Sequence, residues 1–173
     1  MKMTRKMKVV ILGAIDSDPN YADKFKRAQR VIETKVDCVV LTSTVLPLYL
    51  NERDYMRMSL EYIDAADVAV FLPCWTRSAG ARTEREYCKR TAKPFLDFED
   101  EAAALQCLLR LRPVLAARHA YDEQLNDLLR FALNPDPQTN GLGREAAQKL
   151  PIVTKTLLSA TREAARWAEA RVK

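Results

Sequence analysis

Glycine is scarce in this chain, with 4 among 173 residues. The two before residue 140, Gly13 and Gly80, each lie just beyond an apolar run. Glycine used so sparingly is expected where a backbone must turn or let something approach closely. Histidine occurs once, as His119, and the four cysteines, Cys38, Cys74, Cys88 and Cys107, form no C-x-x-C pair. That argues against a zinc site, and three cysteines lie in apolar segments, which predicts buried free thiols in a reducing cytoplasm. No apolar run approaches the roughly 18 residues of a spanning helix, so no membrane association is expected. The basic N-terminus is followed only by the strand-length run Val9–Leu12, which argues against a signal peptide. Acidic residues are missing from the first eight positions, where Lys2, Arg5, Lys6 and Lys8 supply four of the five net positive charges. The remainder is nearly balanced, and no zinc-finger or RNA-recognition signature accompanies the tail. Nucleic acid is therefore not the expected partner.

What is present is an ordinary soluble composition, 48% hydrophobic and 29% charged. The length suits one domain with a sizeable core plus a helical extension. Residues 8–98 alternate short apolar runs, Val9–Leu12, Cys38–Leu41, Val68–Leu72 and Phe95–Phe98, with helical patterns. The helices are expected at about Tyr21 to Thr34, with Phe25, Ala28, Val31 and Ile32 on one face, at about Arg53 to Ala65, with Met56, Leu60 and Ile63, and at about Ala79 to Thr91. This alternation predicts βαβ units and an α/β fold, a flavodoxin-like or Rossmann-like three-layer arrangement around a parallel sheet of four to five strands. After Asp100 the chain turns rich in Ala, Leu and Arg, and helices are expected at about 100–111, 113–133, 143–149 and 152–172, with a loop over Asn134–Gly143. The organisation predicted is an α/β domain over 1–100 and a C-terminal helical extension over 101–173. One face of the last helix, with Val153, Leu157, Ala160, Ala164 and Trp167, wants burial, either in packing or in a subunit contact.

The stretch YMRMSLEYIDAADVAVFLPCWTRSAGARTE, from Tyr55 to Glu84, carries the chemistry. It reads as a helix, a buried strand opened by Asp67, a loop with Cys74 and Trp75, and a Ser-x-Gly turn into a new helix. Open α/β sheets bind ligands at the carboxyl ends of their strands, where this order delivers a helix start and a carboxylate. Ser78 is placed as N-cap, and the free N–H groups that follow would accept a phosphate or carboxylate. Glu84 shares a helix face with Gly80 and Ala81, and its side chain leans back toward the crevice. Taken alone, the spacing S-x-G-x-x-x-E is a weak motif that better describes a capped helix with an exposed Glu in its second turn. Tyr55 lines the pocket or simply packs; Trp75 stacks on a base or lids the core; Arg77 and Arg82 pair with a phosphate or are solvated. Asp67 is read as a structural cap at the amino end of its strand.

The same stretch resembles domain of unknown function 4406, small bacterial and phage proteins of the nucleoside 2-deoxyribosyltransferase-like superfamily. The resemblance rests on Leu72-Pro73, Trp75, Ser78, Gly80-Ala81-Arg82 and Glu84, reaches back through VVILGAIDSDPNY, and covers about residues 8–98. It implies N-glycosidic bond chemistry on a nucleoside or its 5′-monophosphate, by hydrolysis or transfer. A glutamate at the position of Glu84 attacks C1′ of the deoxyribose. A serine and glycine at the positions of Ser78 and Gly80 hold the 5′-phosphate. No cofactor is implied, and a homo-oligomer is. Two positions depart from the relatives: their second-helix aspartate is Ser59 here, and their first-strand tyrosine is Val10. A serine hydroxyl hydrogen-bonds a base without protonating it usefully at neutral pH. Asp16, beyond the first strand, and Asp97, near the end of the fourth, are placed to reach the same crevice and take over that role; each also reads as an ordinary loop or edge residue. The site expected is Glu84, Asp16 and Ser59 for catalysis, with Gly13, Tyr55, Trp75, Ser78, Gly80 and Arg82 for binding. The alternative is a catalytically silent nucleotide-binding or oligomerising protein of the same fold.

Overall fold

A computed structural model describes residues 6–47 and 49–133. Its elements run β1 (Met7–Leu12), α1 (Tyr21–Lys35), β2 (Cys38–Thr42), α2 (Glu52–Ala65), β3 (Val68–Phe71), α3 (Ala79–Arg90), β4 (Phe95–Asp97) and α4 (Glu101–Leu133). The strands pair in parallel in the order β2-β1-β3-β4, with Val9 opposite Val40 and Val68. This is an α/β fold with an all-parallel four-stranded sheet among the described residues, consistent with a flavodoxin-like or Rossmann-like arrangement.

The two central strands, β1 and β3, are short and apolar because both their faces are covered, while the edge strands β2 and β4 are only partly buried. On one face Val10, Leu12, Ala69 and Phe71 pack with Ile63 of α2 and Cys88 of α3. Side chains alternate along a strand, so Val9, Ile11, Val68 and Val70, also fully buried, point the other way, toward α1. Gly13 continues that second row. A Cβ there would lie 3.1 Å from Leu72 Cβ, 3.3 Å from Cys74 Sγ and 3.4 Å from Phe25 Cζ. Strand order reverses between β1 and β3, which makes the carboxyl edge at that point the crevice of the sheet. At the opposite edge Asp67 acts structurally: its Oδ2 accepts from the Lys8 N–H at 2.7 Å, and its own N–H donates to the Lys8 carbonyl at 2.8 Å.

Helix α3 ends in a Schellman motif. The Lys93 N–H donates to the Cys88 carbonyl at 2.9 Å and the Ala92 N–H to the Lys89 carbonyl at 3.3 Å. The left-handed position between them, φ 52°, is held by Ala92 rather than glycine.

Two expectations change. The separate helices at 100–111 and 113–133 are one helix, α4, with Pro113 inside it. Proline removes one backbone donor and crowds the preceding turn, and here the Ala- and Leu-rich sequence on either side continues through it. The cysteines are free, but only Cys88 and Cys107 are buried, while Cys38 and Cys74 are half-buried. Residues 6–108 form one compact unit, and a second begins at Leu109, within α4. No helix among the described residues is long and apolar enough to cross a membrane. The expected loop Asn134–Gly143, the helices at 143–149 and 152–172 and the first basic residues lie outside the described residues.

Candidate functional site

Strand β3 delivers the chain at Leu72 into a 3-10 turn over Pro73–Arg77, which stops at Ser78. Ser78 is extended (φ −105°, ψ 128°), and its Oγ accepts from the Ala81 N–H at 3.2 Å, the geometry of an N-cap. Its carbonyl takes the Arg82 N–H at 3.1 Å. Helix geometry then leaves the N–H groups of Ala79 and Gly80 without intrahelical acceptors. The Ser78 hydroxyl accepts one bond and keeps its own proton to donate.

Gly80 sits in this first turn with an ordinary φ, and a Cβ there would meet only Met56 Cε at 3.5 Å and Ser78 Oγ at 3.6 Å. Neither a turn nor packing requires glycine at this position. The missing Cβ instead leaves the helix start open on the cavity side. One turn later comes Glu84, only 8% exposed although it is a carboxylate. Its Oε1 accepts a short hydrogen bond from Ser59 Oγ on α2, itself 3% exposed. Burial pushes the Glu84 carboxyl above the usual glutamate range, and the Ser59 bond opposes that only in part. Cys88, one turn further along α3, is pushed up to about 11 by burial and by Glu84, so it stays a neutral thiol.

Ser78, Gly80, Glu84 and Ser59 open into one cavity of about 580 Å³, within the roughly 300–1,000 Å³ that small organic ligands occupy. Its other walls come from Ile15, Asp16, Ser17 and Tyr21 after β1, from Ser43, Thr44, Leu46 and Leu50 after β2, and from Glu52, Tyr55 and Met56 of α2. Tyr55 also pins the β2–α2 segment, its hydroxyl donating to the Pro47 carbonyl. The carboxyl ends of three strands thus meet at one site, as the reversal of strand order requires.

Of the residues expected from sequence, the structure brings together Glu84, Ser59, Asp16, Tyr55, Ser78 and Gly80. Three binding residues do not line the cavity. Gly13 is closed off by Leu72, Cys74 and Phe25, so what approaches it is the protein's own core. Trp75 packs edge-on against Phe71, and the Arg85 guanidinium lies 4.2 Å from its ring centre. Arg82 donates from Nη1 to the Thr76 carbonyl at 2.8 Å, tying α3 to the preceding turn. Asp97, the second stand-in for the missing aspartate, forms a bidentate pair with Arg85 at 2.5 and 3.0 Å, away from the cavity. Arg77 is the cation that lines the cavity, immediately before the N-cap. Ser43, Thr44 and Glu52 escaped the sequence reading altogether. The available signal was positional: residues just after β2 must share the carboxyl edge with those after β1 and β3.

A family model described as "Domain of unknown function (DUF4406)" matches residues 7–97, more than half of the chain. The chain belongs to that family, and the match spans every residue of the cavity wall. No curated protein and no solved structure matches the chain.

Proposed function

We propose that this member of the DUF4406 family is a nucleoside 2-deoxyribosyltransferase-like N-glycosidase that acts on a deoxynucleoside 5′-monophosphate, with Glu84 as nucleophile. The observation that carries the reading is the pairing of a buried carboxylate with an open, capped helix start in one cavity. The 5′-phosphate docks on the Ala79 and Gly80 N–H groups and the Ser78 hydroxyl, with Arg77 as counter-charge. That anchoring sets C1′ of the sugar over Glu84. A lone pair of the carboxylate forms a bond to C1′ as the C1′–N bond breaks, and its electron pair leaves with the base. The departing nitrogen takes a proton from water. A second water then attacks C1′ as Asp16, on the wall after β1, takes its proton and passes it to the hydroxide left by the first, and the ester bond breaks to regenerate the Glu84 carboxylate. Two displacements retain configuration.

Only ionised Glu84 attacks, and burial raises its pKa. Base release should therefore climb with pH through a midpoint above the ordinary glutamate value of about 4.3. A second reading, a nucleotide-binding protein without turnover, is favoured by position 59, where a hydroxyl replaces an acid. Assembly into a homo-oligomer belongs to both readings. Light scattering should give at least a dimer, against 19.7 kDa for the single chain. The deciding experiment is chromatography of free base after incubation with each deoxynucleoside monophosphate. Release from at least one supports the enzyme. Calorimetric binding without release supports the silent form, and neither binding nor release overturns both.

A further inference from the structure

We propose that Ser59 is a positioning residue that fixes which oxygen of Glu84 attacks. The proposal rests on the reading of Glu84 as nucleophile and deepens it. The Ser59 hydroxyl has a single proton, and that proton is donated to Glu84 Oε1. It is therefore not available to a bound base, the use that the sequence pattern had left open. Among the described residues Oε2 accepts no hydrogen bond, so Oε2 keeps its lone pairs for C1′ while Oε1 is tethered. Both residues are buried in the middle of facing helices, Ser59 on α2 and Glu84 on α3. Such helical positions hold an acceptor more tightly than a loop would.

The surroundings explain why one hydroxyl has this influence. The charged or titratable groups that share the cavity with Glu84 are Asp16 after β1, Tyr21 at the start of α1, Glu52 and Tyr55 on α2, and Arg77 before α3, and Cys88 lies one turn along α3. Among the described residues none of these hydrogen-bonds the Glu84 carboxylate. Arg77 is the one cation of the group, and the Asp18 carboxylate feels its charge. Among the described residues, Ser59 is thus the only group that favours the ionised form of Glu84 by direct contact.

The test follows the Glu84 carboxyl carbon by carbon-13 NMR across pH, assigned by its loss in Glu84→Gln, beside the pH profile of base release. In Ser59→Ala the Glu84 midpoint should move up, the activity profile should move with it, and the high-pH plateau should fall severalfold through lost orientation. Ser59→Thr, which keeps a hydroxyl, should restore the midpoint. Ser59→Asp should turn the titration into two steps, because two adjacent buried carboxyls share one proton. An unchanged midpoint and plateau in Ser59→Ala would overturn the proposal. Should the variants fold poorly, wild type alone decides: exchanging H2O for D2O should displace the Glu84 carboxyl resonance across the Ser59 bond, and no displacement would overturn it. The titration reads the contact even if no base is released, so failure of the glycosidase reading remains distinguishable.

Discussion

Asp18 and Glu84 are carboxylates with equally little exposed surface, 8% each, and their surroundings treat them in opposite ways. Asp18, in the β1–α1 loop, accepts from the Lys24 ammonium and from the Asn20 N–H at 3.0 Å, with Arg77 nearby. Those bonds hold its carboxyl below the usual aspartate range. Glu84 has one neutral hydroxyl, and burial pushes its carboxyl up. Asp18 is compensated, as a residue that fastens a loop should be. Glu84 is left under-compensated beside a cavity, the arrangement expected where stability has been given up for reactivity. Equal exposure therefore means different things: Glu84 is set by desolvation and Asp18 by its partners.

The largest effect should come from removing the under-compensated carboxylate. Glu84→Gln should cut base release more than a hundredfold, about 3 kcal/mol or more in transition-state stabilisation, because an amide cannot form the glycosyl ester. Steady-state kinetics on the preferred monophosphate checks this. Next comes the charge at the cavity's mouth. Arg77→Ala should weaken monophosphate binding about tenfold, roughly 1.4 kcal/mol, and leave the unphosphorylated nucleoside unaffected. Calorimetry with both ligands measures the difference, and equal losses for both would remove the phosphate cradle.

Stability should separate the two carboxylates by sign. A raised folded-state pKa means that Glu84 costs nothing below its unfolded value and costs progressively more as pH rises through the folded one. Glu84→Gln should thus raise Tm by a few degrees near pH 8 and leave it unchanged near pH 4. Asp18 has a lowered pKa, so its contribution is present above the unfolded value and is lost as pH falls through the folded one. Asp18→Asn should lower Tm at neutral pH, with the deficit shrinking in acid. Thermal melts across pH check both, and same-sign shifts would break the comparison. The smallest effect lies at the far end of α3. Ala92→Gly should relieve the left-handed strain and stabilise by about 0.5–1 kcal/mol without altering base release, which shows whether that end is independent of the site.

Much of this was legible in the sequence, for identifiable reasons. The strand and helix periods placed β1 to β4 and α1 to α3 within a residue or two, because the central strands β1 and β3 are buried on both faces and leave the pattern little freedom. Ser78 as N-cap and Glu84 on the Gly80 face followed from helical geometry alone. Gly13 misled because scarcity says only that a close approach occurs, and here the approaching groups are Leu72, Cys74 and Phe25. Trp75 and Arg82 were drawn away by partners, Phe71, Arg85 and the Thr76 carbonyl, that sequence spacing does not reveal. The sequence divides into two helical patterns near Pro113, and the strong helix formers around it carry one helix through. The Ser59–Glu84 contact joins two helices 25 positions apart in the chain and became visible only with tertiary structure.

The central claim is that Glu84 takes the sugar onto itself. Wild type should be mixed with the preferred deoxynucleoside monophosphate, quenched in acid during turnover and digested for peptide mass mapping. A nucleophilic Glu84 should gain the mass of one deoxyribosyl phosphate, less water, confined to Glu84 of the α3 peptide and absent from Glu84→Gln. An increment on another residue, or base release at full rate from Glu84→Gln, would contradict it.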